Sequence, residues 1–274
     1  MVVSDLDFAL NLTAHEGWSS TRRDFEELLS FNPEGSFIGE VGGEAIGMVC
    51  TVNYGEFGFI ANLIVLPTYR GQQFGKTLME LAMKHLLDSG AKSLLLDGVP
   101  EAVSLYERLG FRKIAKSLRL DADVVGRNTQ HTRFMKEEDL QEITTFDSQY
   151  FGSQRGKFLQ MRFSEYPEFA LVIEQDGKLQ GFIMGSRSGS SLRIGPWVMA
   201  NQNEGAEHLL LEFAGLESGT PLKIGVLESN KQAIKLLDQY GFKLRSHSWR
   251  MLYGKDTEAT LSNHLYAIFS PVRG

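Results

Sequence analysis

The apolar residues change their period several times along the chain, and each change predicts an element. "GSFIGEVGGEAIGMVCTVNYGEFGFIANLIVLP" (35–67) holds three apolar runs broken at Gly42-Gly43 and Gly55, the pattern of a three-stranded meander. From Gln73 to Asp88 the period becomes helical, with Phe74, Leu78, Leu81, Ala82 and Leu86 on one side and Gly90 beyond the end. "KSLLLDG" (92–98) reads as a buried strand, and Pro100 opens a second helix that closes at Gly110. "FRKIAKSLRL" (111–120) is a further strand, and "EGWSSTRRDFEELLS" (16–30) predicts a helical hairpin with Ser20 or Thr21 as a cap. Strands that first run antiparallel and are then joined through helices imply an α/β fold, a twisted mixed sheet flanked by helices.

The pattern occurs twice. "PEAVSLYERLGF" (100–111) resembles "NKQAIKLLDQYGF" (230–242), and aligning Phe111 with Phe242 gives an offset of 131 residues. At that offset Ala102 meets Ala233, Leu105 meets Leu236, Gly110 meets Gly241 and Leu78 meets Leu209. "FIGEVGGEAIGMV" (37–49) matches "LVIEQDGKLQGFIM" (171–184) a few residues further apart. The sequence is therefore expected to hold two copies of one fold, as domains 1–122 and 135–274 with a linker at 123–134.

A length of 274 residues suits two such domains. With 34 acids against 28 bases the net charge is −6, which argues against a dedicated nucleic-acid binder. Cys50 is the single cysteine, so no disulfide forms within the chain and no cysteine-held zinc site is available. The start, "MVVSDLDFAL", makes a poor secretory signal, and the apolar runs are too short to cross a bilayer, so a cytoplasmic protein without membrane partners is expected.

The chemistry concentrates in "RGQQFGKTL" (70–78), between a strand and a helix. A helix N-terminus there offers free backbone N–H groups and the positive end of a dipole, which bind a pyrophosphate. Gly71 and Gly75 permit close approach, and Arg70 and Lys76 supply positive charge. The spacing fits neither a Walker loop nor G-x-G-x-x-G. On the second helix, "SLYERLGF" puts Tyr106 one position past Leu105, read as core-facing.

The stretch from "VLPTYRGQQFGKTL" to "SLYERLGF" resembles the acetyl-coenzyme A-binding core of the GNAT superfamily of N-acetyltransferases. That superfamily's pattern, Arg/Gln-x-x-Gly-x-Gly/Ala after a strand with a tyrosine before a Leu-Gly-Phe helix end, matches at Arg70, Gly75 and Tyr106. The "EGW" start, "FGSQRGKFL" (151–159) after Asp147, and the degenerate second copy are similar to bacterial tandem GNAT proteins. The resemblance implies two GNAT-like domains, acetyl-CoA as co-substrate, and acetyl transfer to a primary amine of a small molecule. It implies that Leu63, Ile64 and Val65 flank the pantetheine arm, with a main-chain N–H near Val65 at the thioester carbonyl. Gln73 to Lys76 would hold the pyrophosphate within a loop of Arg70, Gly71, Gln72, Gln73, Phe74, Gly75, Lys76 and Thr77. Tyr106 would be the general acid to the departing thiolate.

Gln73 departs from the pattern, since it stands where the family has a glycine. The loop is expected to stay in the right-handed region at Gln73 and to keep its backbone donor. His15, Glu16, Glu56 and Asp97 are chemically suited to act as the base, Asn62 is not, and no choice is made among them. At the 131-residue offset Arg70, Gly71, Gly75 and Tyr106 become Asn201, Gln202, Ala206 and Leu237, so the second copy is expected to be silent, with Trp197 and Tyr240 in core packing or along the acceptor pocket.

The six histidines (15, 85, 131, 208, 247 and 264) lack metal-binding spacing, and "GSRSGSS" (185–191) fails as a nucleophile elbow because Arg187 holds the serine position; it reads as a hairpin loop. "FEELL" and "KEEDLQEI" read as solvated acidic faces. The other function class is a non-catalytic CoA-binding sensor or scaffold, and a homodimer is left open.

Overall fold

The computed structural model describes residues 1–18, 20–200, 205–255, 261–270 and 272–274. The chain divides into two compact units, unit 1 with Met1–Arg112, Met251–Asp256 and Arg273, and unit 2 with Lys113–Arg250, Thr257–Val272 and Gly274.

Unit 1 opens with α1 (Leu6–His15) and α2 (Arg22–Phe31). Helix α1 forms ahead of the segment in which the hairpin was expected, because Leu6, Ala9, Leu12 and Thr13 are buried at helical spacing, and "EGW" makes the turn that leaves it. Thr21 is the cap of α2, with its Oγ1 accepting from Asp24 N and the Asp24 carboxylate accepting from Thr21 N. The "FEELL" face is not wholly solvated. Glu27 is buried and meets the Arg273 guanidinium at 3.0 Å, a partner too distant in sequence to be read there.

The meander follows as β1 (Ser36–Val41), β2 (Glu44–Asn53) and β3 (Phe57–Val65), all antiparallel neighbours. Then come α3 (Phe74–Asp88), β4 (Ser93–Gly98) parallel to β3, and α4 (Val103–Arg108). In unit 1 the next strand after β4 is the end of β11 (Lys243–Gly254), from Met251 on.

Unit 2 repeats the pattern. Its sheet runs β5 (Arg112–Ala122), β10 (Leu222–Leu227), β9 (Ser191–Met199), β8 (Lys178–Ser188), β7 (Ala170–Gln175) and β6 (Thr132–Phe134). The "GSRSGSS" segment is the β8–β9 hairpin, as its turn residues required. Helices α5 (Leu140–Phe151), α6 (Gly156–Glu165), α7 (Gly205–Gly215) and α8 (Lys231–Gln239) accompany it, and a short strand, β12 (Leu265–Ala267), pairs with β9. Trp197 lies fully buried in the unit 2 core, and the Tyr240 hydroxyl bonds Glu207. The Asp147 carboxylate and Arg155 guanidinium form a buried two-point pair at 2.9 Å.

Candidate functional site

Strands β3 and β4 run together only from Phe57↔Ser93 to Ile60↔Leu96. Beyond that point β3 bulges. Between the Cys50↔Ala61 and Met48↔Ile64 pairs, β3 takes one residue more than β2. Asn62 carries the bulge in left-handed backbone, φ 51°, which asparagine tolerates better than most residues. Its Oδ1 is buried with no hydrogen-bond partner among the described residues. Across the bulge Gly47 lies so close to β3 that a Cβ there would stand 2.7 Å from the Ile64 carbonyl oxygen. The bulge turns β3 away from β4 and opens a cavity of about 590 Å³, with Ala61 to Val65 on one wall and Leu96, Asp97 and Val99 on the other.

The N-terminus of α3 opens onto the same cavity. No side chain caps it, in contrast to α2, so the first N–H groups of the helix have neither an intrahelical partner nor a capping oxygen. Gly75 sits in that first turn. A Cβ there would meet only Leu105 at 3.7 Å and Val65 at 3.8 Å, ordinary contacts, so protein packing gives no reason for glycine. The Arg70 Nε donates to the Val65 carbonyl oxygen at 2.9 Å, and its far nitrogen pairs with Glu16. Lys76 faces Glu80 at 3.6 Å, with half its side chain in solvent.

The expectation for Gln73 was wrong. The residue is held at φ 69°, ψ −2°, in the left-handed region. The chain must reverse between the 3₁₀ turn Pro67–Tyr69 and α3, and Gly71 (φ 78°) and Gln73 share that reversal. Of the loop residues, Arg70, Gly71, Gln73, Gly75 and Lys76 line the cavity. Gln72, Phe74 and Thr77 turn elsewhere. Gln72 donates to the Thr68 carbonyl, Phe74 packs on Tyr69, and Thr77 bonds the Gln73 carbonyl.

Tyr106 lies at the cavity wall and, contrary to the expected order, is more buried than Leu105. Burial pushes its hydroxyl up to about 12. Its ring packs against β4 at Gly98, where a Cβ would stand 2.7 Å from the ring, and Phe111 meets it edge-on. Sequence reasoning missed Gly98 and Gly47, since nothing local separates them from turn glycines. Of the acid–base candidates, Glu16 and Asp97 reach the cavity, while Glu56 pairs with Lys92 outside it and His15 is exposed on α1.

The second copy keeps the bulge. Between Gly185↔Ile194 and Ile183↔Trp197, β9 again takes one extra residue, here Gly195-Pro196, so Trp197 and Val198 stand where Ile64 and Val65 stand in the first copy. Asn201 and Gln202 lie outside the described residues; Ala206 is on α7 and Leu237 is buried on α8. Among the described residues no group of three or more His, Cys, Asp or Glu is arranged to hold a metal ion, and no helix is long and apolar enough to cross a membrane.

Comparison with known proteins accounts for both copies. Residues 7–111 match the model of the acetyltransferase (GNAT) family, and residues 143–267 match that of an acetyltransferase (GNAT) domain. The chain is 24% identical, over 97% of its length and 94% of the relative's, to an uncharacterized N-acetyltransferase, YitH, of Bacillus subtilis. Its fold is similar to a putative acetyltransferase from Pyrococcus horikoshii, with TM-score 0.85 at 20% identity over 100% of this chain and 94% of that one. It is also similar to a tandem GNAT protein from the clavulanic acid biosynthesis pathway, with TM-score 0.62 at 15% identity over 93% and 96%. Acetyltransferases of this family use acetyl-CoA as co-substrate, and this chain belongs to it as a tandem GNAT N-acetyltransferase, with one copy of the fold in each half.

Proposed function

We propose that unit 1 transfers the acetyl group of acetyl-CoA directly to a primary amine of a small molecule. Gly75 is the observation that carries this reading. Glycine within a helix costs roughly 0.5–1 kcal/mol relative to alanine, and the protein has room for a Cβ there. An uncapped helix start with that space is accounted for by a pyrophosphate on the amides of Gln73 to Lys76.

The arm of the cofactor then runs along the diverging edge of β3 at Leu63, Ile64 and Val65. A backbone N–H near Val65 polarises the thioester carbonyl and stabilises the oxyanion once the amine nitrogen has attacked. Collapse breaks the carbon–sulfur bond and leaves a thiolate beside Tyr106. At about 12, Tyr106 is a weaker acid than an ordinary thiol near 8.5. Its hydroxyl therefore hydrogen-bonds the developing thiolate, and full transfer is coupled to loss of the amine's proton. Holding amine and thioester in line supplies much of the acceleration. The buried Cys50 as the single cysteine suits a reducing compartment such as the cytoplasm.

Calorimetric titration of the full chain with acetyl-CoA tests the reading, followed by a screen of primary amines for CoA release. Micromolar binding and amine-dependent release are expected. Absence of binding up to millimolar acetyl-CoA sinks the proposal.

A further inference from the structure

In unit 2 the gap that should open between β9 and β10 is filled by the protein itself. The two strands pair from Leu192↔Leu222 to Ile194↔Ile224 and then part at the Gly195-Pro196 bulge, as β3 and β4 part at Asn62. Strand β12 lies in the opening. Leu265 faces Val198 and Ala267 faces Trp197, and Met199 N donates to the His264 carbonyl at 3.0 Å. On the other side Ile268 N donates to the Gly225 carbonyl of β10 at 3.0 Å. The inserted segment thus bonds both walls, and on β9 it pairs with Trp197 and Val198, the positions that correspond to Ile64 and Val65 in unit 1.

The fit is close on every side. Gly195 leaves room for the Ile268 carbonyl oxygen, which would stand 2.3 Å from a Cβ built there. Gly225 takes the Ile268 side chain as Gly98 takes the Tyr106 ring in unit 1. Pro196 stands where the first copy has Leu63 and offers no N–H to a ligand. Asn230, only 1% exposed, ties the strand down. Its Nδ2 donates to the carbonyls of Asn263 (2.8 Å) and Leu265 (3.0 Å), while its Oδ1 caps α8 through Ala233 N. Leu265, Tyr266, Ala267, Ile268 and Phe269 are all buried.

Resting on the reading of the unit 1 cleft above, we infer that β12 is a built-in occupant of the second acetyl-CoA slot, a peptide lying where the peptide-like pantetheine arm would lie, so that the chain takes one acetyl-CoA and not two. A free ligand would have to break these bonds, expose five buried side chains, and compete with a tethered strand whose effective concentration is at least in the millimolar range. Loss of the arginine–glycine cradle from the second copy then follows, because a slot filled from within places no demand on phosphate-binding residues.

The test combines titration with backbone hydrogen exchange on the full chain, using acetyl-CoA as the probe. Wild type is expected to bind one equivalent, and Gly75→Asp, which sets a carboxylate in the unit 1 cradle where a Cβ fits, is expected to bind none. Amides in 194–199 and 265–268 should exchange slowly without ligand and unchanged with it, while those in 61–66 gain protection. Asn230→Ala should speed exchange in 265–268. Two equivalents in wild type, one retained in Gly75→Asp, or added protection in 194–199 would each overturn the inference. Fast exchange of 265–268 in the free protein would do the same. Wild type that binds nothing, with 194–199 and 265–268 still protected, supports the filled slot and defeats the proposed function of unit 1 instead.

Discussion

Tyr106 keeps its hydroxyl proton at every working pH, because burial raises it to about 12. The sign is simple. An acid is lost to a reaction as pH rises through its pKa, so the alkaline limb that Tyr106 of the free enzyme contributes to kcat/KM lies near 12. From pH 7 to 10 kcat/KM should show no decline caused by this group, and a pH–rate profile measures it. Tyr106→Phe removes the donor and keeps the ring, so kcat should fall about 100-fold, within the usual worth of a general acid, with acetyl-CoA affinity unchanged. Equal turnover would remove Tyr106 from the mechanism. Gly98 makes room for the ring that carries that hydroxyl. Gly98→Ala pushes a methyl group into the ring at 2.7 Å, so it should lower kcat in wild type and have little further effect in a Tyr106→Phe background. Additive losses would show that Gly98 acts through something other than the hydroxyl.

At the level of elements, the loop into α3 does with Gln73 what a glycine does more cheaply. Left-handed backbone costs a residue with a Cβ about 1–2 kcal/mol, and glycine's greater freedom in the unfolded chain returns up to about 1 kcal/mol of that. Gln73→Gly should therefore raise stability by up to about 1 kcal/mol, read as a small rise in Tm, and leave acetyl-CoA binding intact, since the N–H groups keep their direction. A clear loss of affinity would assign the glutamine side chain a part in binding. The same loop marks what could be read from sequence. The helical spacing of Phe74 to Leu86, the glycine-broken meander and the capped start of α2 are local, and all three elements form. The sign of φ at Gln73 follows from how the chain must turn between a 3₁₀ turn and a helix, and the burial of Glu27 from Arg273, nearly the whole chain away. Strand β12 was equally hidden, since "NHLYAIF" differs little from any short apolar run until β9 and β10 part to receive it.

For the whole molecule, the repeat and the compact units do not divide the chain at the same place. The first copy closes with β5, yet from Lys113 on that strand belongs to unit 2, where Ser117 to Ala122 pair with β10 from Leu227 to Leu222. Unit 1 takes Met251–Asp256 from the second copy in exchange, and Phe111 packs on Tyr253 at 5.6 Å between ring centroids. Each compact unit thus includes a strand segment from the other copy. A fragment ending at 122 carries every residue assigned to the acetyl-CoA cleft but lacks the strand segment that completes unit 1, and it leaves β5 without β10 and β11, with both edges unpaired. That fragment should be poorly soluble or lack a cooperative unfolding transition, and it should bind acetyl-CoA far more weakly than the full chain. Adding a separately made 123–274 fragment supplies Met251–Gly254 and should restore binding. A fragment 1–122 that melts cooperatively and binds acetyl-CoA as the full chain does would show that the exchanged strands are dispensable to the cleft, and that the repeat, not the compact unit, is the folding unit.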